Sequence, residues 1–362
     1  MMTQSESRSN RFLFASAAVV VVVAGLRAAA GFILPLLFAT LLTLLFWPLF
    51  RWLTGRRCNE KLALLITLVA ALLALGLFLL VATAAVNEFA SSAPQYFEQV
   101  QVRLGSWFEQ LRQAEGLGGW IGAATLDPGE LVNLAAATAG NLLSGTATLI
   151  SFLLLVFLTM AFMLAESNRF GPKLRAALGV LPYSESQVLG IVGELQRFVA
   201  IKTVVSAITG LLVAGWVALL GLEFPLFWGL AAFLLNFIPT LGSIIAALPA
   251  AGLAWLQFGF GRALLVAVGY LIVNMVLGNL IEPRWMGRRF GLSTLVVFLS
   301  LLFWGWVWGP LGMLLSVPLT RMAKIIFEHT PNLRWLAILL GPSSSEVIEE
   351  TVTTSAGSDS PA

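Results

Sequence analysis

Two carboxylates and three amides stand at the edges of otherwise apolar stretches, where a group could meet something in transit. Glu282 closes the apolar run 263–281 beside Pro283 and Arg284, and Glu223 opens the stretch 224–258. No Asp, Glu, Lys or His stands in the middle of a full apolar run, which favours passage of a neutral solute over a buried carboxylate relay; these two groups at the edges are the candidate coupling carboxylates. Glu282 is the stronger candidate. Its plain alternative is a helix-end ion pair with Arg284 or Arg288, and that of Glu223 is an interfacial anchor. Glu194, Arg197 and Lys202 approach the run 201–220 and read as a solvated face, with a gate as the alternative. Asn236, Asn274 and Asn279 need hydrogen-bond partners in lipid. Asn236 suits solute binding and helix tying equally, because it lies beside a break in the apolar pattern. The other two read as ties.

The residue types support little other chemistry. One cysteine, Cys58, and one histidine, His329, leave no disulfide framework and no metal-ligand spacing. No G-x-x-x-x-G-K-[ST] nucleotide loop occurs, and no nucleophile–base pair is visible. Neither an enzyme nor a cofactor or bound metal is expected. Cys58 reads as a free thiol in a basic loop and His329 as a surface residue.

The elements that must position these groups are membrane helices. Of the residues 59% are hydrophobic and 11% charged, against roughly 25% charged in soluble domains. Mean hydropathy is +0.91. A soluble fold cannot hide that much apolar surface, so the lipid bilayer is an expected partner. The net charge of +3 is spread between apolar segments without a basic run. Nucleic acid is therefore not an expected partner.

A span needs about 20 apolar residues. Runs 12–30, 32–50, 62–86, 146–165, 201–220 and 263–281 qualify. The expected fold is all-α and polytopic, with about six full spans plus two broken or re-entrant hairpins at 224–258 and 292–325. Basic residues such as Arg8, Arg51, Arg56, Lys173, Arg288 and Arg321 can all face the cytoplasm at once. The positive-inside rule then places both termini inside. The chain divides into a polar N-terminus 1–11, three helices in 12–86, an outside amphipathic segment 87–145, a transport core 146–340 with a connector 166–200, and an acidic tail 341–362 expected to be disordered. The run from Phe12 reads as a retained helix. Trp304, Trp306 and Trp308 read as an aromatic belt. The stripe of Phe97, Val100, Leu104, Phe108 and Leu111 could pack on a helix, lie on the membrane or join a homo-oligomer.

The two broken stretches resemble each other. Gly221-Leu222 precedes Leu241-Gly242 as Gly291-Leu292 precedes Leu311-Gly312, and each break is followed by a proline, Pro249 or Pro318. The loop charges invert one copy relative to the other. Inverted repeats with broken helices place their sites where the breaks lie. The candidate substrate pathway is therefore Asn236, Pro239, Thr240, Gly242 and Ser243 with Gly309, Pro310 and Gly312.

The motif Asn236-Phe-Ile-Pro239-Thr-Leu-Gly242-Ser resembles the signature loop of the autoinducer-2 exporter family, the PerM-like permeases. Gly278-Asn-Leu-Ile-Glu282-Pro-Arg-Trp-Met-Gly287 and Trp304-Gly-Trp-Val-Trp-Gly309-Pro-Leu-Gly312 are similar to the family too. The likeness runs from Pro35 to Lys324, and its motifs are specific in combination. It implies an integral inner-membrane protein. Members have been linked to autoinducer-2 export and some to sodium/proton antiport. Thr240 departs from the family, which has an aromatic after the signature proline. The expected function is a secondary transporter of a small solute, with ion/proton antiport and a non-transporting scaffold as alternatives.

Overall fold

The structure is a computed structural model, and it describes residues 17–56, 58–113, 146–178, 185–238, 241–286, 292–330 and 333–341. The segments 1–11 and 114–145, Ser184 and the tail beyond Gly341 lie outside the described residues, as do Pro239, Thr240 and Arg288.

Every regular element among the described residues is a helix. Inside lipid this is what the backbone requires, because a helix satisfies its own N–H and C=O groups. In chain order they are α1 (Ala17–Ala28), α2 (Ala30–Gly55), α3 (Glu60–Gln113), α4 (Thr146–Leu178), α5 (Glu185–Leu219), α6 (Pro225–Leu235) and α7 (Leu241–Phe258). Then come α8 (Phe260–Asn274), a π-helical segment Met275–Ile281, α9 (Glu282–Met286), α10 (Thr294–His329) and α11 (Arg334–Leu339). Among the described residues six segments are long and apolar enough to cross a membrane: Ala30–Gly55, Glu60–Ser92, Val192–Leu219, Leu241–Phe258, Phe260–Met286 and Thr294–Glu328. Hydroxyls on these helices bond to their own backbone. Thr43 donates to Ala39 O at 2.7 Å, Thr67 to Ala63 O at 2.8 Å and Thr209 to Val205 O at 2.9 Å.

Two boundaries differ from the sequence expectation. The third apolar run is not separated from the amphipathic segment expected after residue 86. It continues as one 54-residue helix to Gln113, about 80 Å at 1.5 Å per residue. A fall in hydropathy ends the membrane contact of a helix without ending the helix. Between α1 and α2 there is no loop, only Ala29. Its amide donates to Gly25 O at 2.9 Å while its carbonyl accepts from Ile33 at 2.9 Å.

The chain divides into two compact units. One comprises Pro48–Phe157 and Ala200–Trp285. Its core joins Val213 and Val217 of α5, Trp228 and Ala232 of α6, Ala246, Ala250 and Ala254 of α7, and Val266 and Tyr270 of α8. The small residues let helices approach closely, as membrane packing demands. A Cβ on Gly229 of α6 would stand 2.7 Å from both the Ala214 Cβ and the Gly210 carbonyl oxygen of α5. Phe89 of α3 stacks on Phe227 at 4.1 Å and meets Phe224 edge-on at 5.5 Å. Phe224 is the single non-glycine residue with positive φ among the described residues, at φ 61° just before Pro225.

The other unit comprises Met1–Trp47, Leu158–Val199 and Met286–Ala362. Within it α10 folds back on itself. Trp304 Nε1 donates to Thr320 Oγ1 at 3.1 Å, whereas 16 residues of straight helix would part them by about 24 Å. The reversal falls at Gly309, with φ 66° and ψ −150°, a region open in practice to glycine. Near this bend Arg27 lies over the Trp306 ring at 5.1 Å, and Trp308 Nε1 donates to Leu26 O at 2.9 Å. The tryptophans read as a belt therefore also fasten the end of α1.

The two breaks share local geometry. A Cβ on Gly242 would run into the Leu235 carbonyl and lie 3.3 Å from the Ile238 Cβ. A Cβ on Gly312 would run into the Trp304 carbonyl and lie 2.9 Å from the Trp308 Cβ. Each glycine lets the returning arm cross the last turn of the outgoing arm. Gly242→Ala and Gly312→Ala are each expected to cost about 1–3 kcal/mol of stability, as overpacking does. Thermal melting of the detergent-solubilised protein measures this; wild-type melting for either variant would disprove the crossing.

Candidate functional site

One face of α5 is polar and buried. Lys202, Ser206 and Thr209 are 5%, 0% and 2% exposed. Their spacing of four and three residues puts them on one stripe of the helix. Lys202 Nζ donates to both carboxylate oxygens of Glu282, at 2.8 and 3.0 Å. Ser206 Oγ accepts from Asn236 Nδ2 at 2.9 Å. The stripe thus holds both the first break and the end of the π-helical segment.

Local structure fixes each partner. Asn236 closes α6, where its amide donates to Ala232 O at 3.0 Å. Glu282 opens α9 directly after Met275–Ile281, and its amide donates to Leu277 O, five residues back. Such wide turns store one extra residue within a helix and recur at functional sites. Asn274 Nδ2 donates to Tyr270 O of its own helix at 2.8 Å, so it supports its turn rather than tying two helices. Asn279 is exposed on the π-helical segment.

Two sequence expectations are corrected here. Among the described residues Glu282 pairs with Lys202 and not with Arg284, and the pair is 14% and 7% exposed; Arg288 lies outside the described residues. Lys202 is therefore not part of a solvated face. Sequence reading missed the pair because 80 residues separate its members. The repeat of polar residues along α5 was the signal that could have revealed it. Glu194 does sit at the surface, 56% exposed, and pairs with Arg321 at 3.3 Å, a contact worth little in water.

Glu223 belongs to a second cluster at the base of the first hairpin. Tyr96 of α3 donates a short hydrogen bond to Glu223 Oε2. Gln257, at the far end of α7, donates to the Tyr96 hydroxyl at 2.9 Å. Trp228 Nε1 donates to the Glu223 carbonyl at 3.1 Å. One tyrosine therefore fastens both ends of the hairpin to α3. Burial first, and then the bond to Glu223, hold its hydroxyl above its ordinary value of 10.0.

Of the pathway residues, Gly242 and Ser243 lie in the first turn of α7, next to the Asn236–Ser206 contact in sequence. Gly309, Pro310 and Gly312 form the bend of α10 in the other unit. Their likeness to the first break is one of local geometry.

Long apolar helices, small-residue crossings, a helical hairpin and a buried polar stripe define a multi-pass helical membrane protein. Residues 16–332 match the family model described as AI-2E family transporter. The chain is 37% identical over 330 residues to the AI-2 transport protein TqsA of Escherichia coli K12, covering 91% of this chain and 94% of that protein. It is 36% identical over 345 residues to YhhT of the same strain, covering 94% and 96%. With a Haemophilus influenzae relative it shares 37% identity over 348 residues, covering 93% and 98%. The chain belongs to the AI-2E transporter family, and it is a membrane transporter.

Two predictions follow from the two clusters. Lys202→Met or Glu282→Met alone is expected to cost about 3–5 kcal/mol, because each strands a buried charge, while the double variant is expected to be near neutral. A double-mutant cycle of melting temperatures checks this, and additive losses would contradict it. Tyr96→Phe keeps the ring packing and is expected to cost about 1 kcal/mol for the lost hydroxyl bonds. The Tyr96 pKa is raised on folding, so its contribution is full below pH 10.0. It fades as pH rises through the raised value. The melting difference between wild type and Tyr96→Phe should therefore narrow in strong alkali.

Proposed function

We propose that this chain is an inner-membrane secondary transporter that exports a small polar solute of the autoinducer-2 type, passing the breaks of the two hairpins. The observation that carries the reading is the Asn236–Ser206 hydrogen bond, a polar pair held at a helix break inside an apolar unit. Break residues expose backbone groups that lipid cannot satisfy, and a passing solute can exchange hydrogen bonds with them. The residues assigned to the pathway are Asn236, Pro239, Thr240, Gly242 and Ser243, with Gly309, Pro310 and Gly312 at the repeated break. Support for the solute comes from the likeness to a relative named for AI-2 transport. Loop charges support a cytoplasmic position for both termini.

A second reading is ion/proton exchange through a carboxylate. The burial of Glu282 against Lys202 favours it at that residue, whereas Glu223 is engaged by Tyr96 at the hairpin base.

Autoinducer-2 flux from proteoliposomes separates these readings. Asn236→Leu is expected to lower that flux by about tenfold or more, since a site built to hydrogen-bond loses most when the bond is removed. The lost bond to buried Ser206 is expected to cost about 1 kcal/mol of stability, too little to unfold the protein, so flux is compared well below both melting temperatures. Undiminished flux would remove Asn236 from the pathway. Loss of ion-driven proton flux in Glu282→Gln, with autoinducer-2 flux intact, would favour the second reading.

A further inference from the structure

We infer that a route for an uncharged, hydroxyl-bearing solute runs inside the first hairpin, along the inner face of α7 from the break to the base, and that Tyr270 of α8 binds the solute there through its hydroxyl. This deepens the transport reading and rests on it.

Tyr270 is 1% exposed, and among the described residues nothing bonds to its hydroxyl. A buried tyrosine ordinarily finds a partner for its O–H. Leaving the group unpaired costs stability that phenylalanine, with the same ring, would not lose. The ring shares one buried cluster with Trp228 and Ala232 of α6 and with Ala246, Ala250 and Ala254 of α7. Both arms of the hairpin therefore belong to the packing around it.

The α7 residues of that cluster lie on a track. Gly242, Ala246, Ala250, Ala254 and Gln257 follow at intervals of four, four, four and three, which puts them on one face of the helix. The track begins at the break and ends at the base, about 22 Å further along α7. There Gln257 donates through Nε2 to Tyr96, while its Oε1 is buried without a partner among the described residues. Close helix packing accounts for small residues, but not for two unpaired oxygens beside the same track. Asn236 at the break, Tyr270 beside the alanines and Gln257 at the base are polar stations without charge. The face between them carries no charge either. A solute hydroxyl can donate to Gln257 Oε1 and can accept from the Tyr270 O–H.

The track is closed in the structure, with Ala250 and Ala254 both 0% exposed. A joint for opening it stands at its end. Gly259 alone separates α7 from α8, and its φ of 86° with ψ −178° belongs to glycine. Turning α7 about this joint parts it from α8 and uncovers the Tyr270 hydroxyl.

The test is autoinducer-2 flux from proteoliposomes at graded concentrations for wild type and Tyr270→Phe, with melting of both proteins in detergent. Tyr270→Phe is expected to raise the half-saturating concentration about tenfold, as loss of one hydrogen bond does. It should melt at the wild-type temperature or about 2–4 °C above it. Wild-type half-saturation, or a fall in maximal rate alone, would overturn the inference. So would a lower melting temperature, which would give the hydroxyl a partner within the chain. Cysteine labelling in the bilayer decides independently of the solute. In a Cys58→Ser background, Ala250→Cys is expected to react with a water-soluble thiosulfonate although Ala250 is 0% exposed. Leu248→Cys, at a position 68% exposed on the apolar outer side of the same helix, is expected not to react. An unreactive Ala250→Cys, or equal reactivity at both positions, removes the route. A wild type that carries no autoinducer-2 would refute transport of that solute alone, and the labelling would then decide whether the route exists.

Discussion

Lipid offers no hydrogen bonds, so each polar group carried into the apolar interior must find its partner within the chain. That constraint shapes nearly every feature described. It makes the described elements helices, and it turns the threonine hydroxyls back onto their own carbonyls. It also sets the value of the α5 stripe. Ser206 and Lys202 would be liabilities on a lipid-facing side, but with Asn236 and Glu282 opposite them they become a seam. Tyr270 and Gln257 each keep a buried oxygen without a partner among the described residues, so the unit that holds the seam is not fully satisfied.

The hairpins follow from the same constraint joined to steric access. To reverse inside a membrane protein, the backbone must turn within a few residues and stay shielded. Gly242 and Gly312 allow this by letting one arm rest on the carbonyls of the other. Gly309 supplies a backbone angle that side chains resist. At the base of the first hairpin Gly221 and Phe224 also carry positive φ, and the rings of Phe89 and Tyr96 pack edge-on against Phe224 before its proline.

Much of this was legible in the sequence because it rests on local chemistry. Apolar runs identify spans, and the Pro–Gly pairs at 239–242 and 309–312 mark the places where helices turn. The family resemblance agrees with the match over residues 16–332. What escaped is what depends on contact between distant segments or on the absence of a stop signal. Glu282 found Lys202 rather than Arg284 beside it, since it follows directly on the wide turns of Met275–Ile281. That the third apolar run and the amphipathic segment after it form one helix also escaped, because polarity changes near residue 87 while the helical backbone runs on. Asn274 looked like a bridge between helices, yet its nearest carbonyl was one turn away on its own.

The length of α3 has a mechanical consequence. It is a single rod from Glu60 to Gln113, and Tyr96 pins it to both ends of the first hairpin. Counted from Glu60, the pin lies about 54 Å along a rod of about 80 Å. The apolar span of the rod ends at Ser92, so Tyr96 lies one turn past it, and about 25 Å of helix continues from Tyr96 to Gln113. With no joint between them, any displacement of that projecting arm is carried straight to the base of the first hairpin.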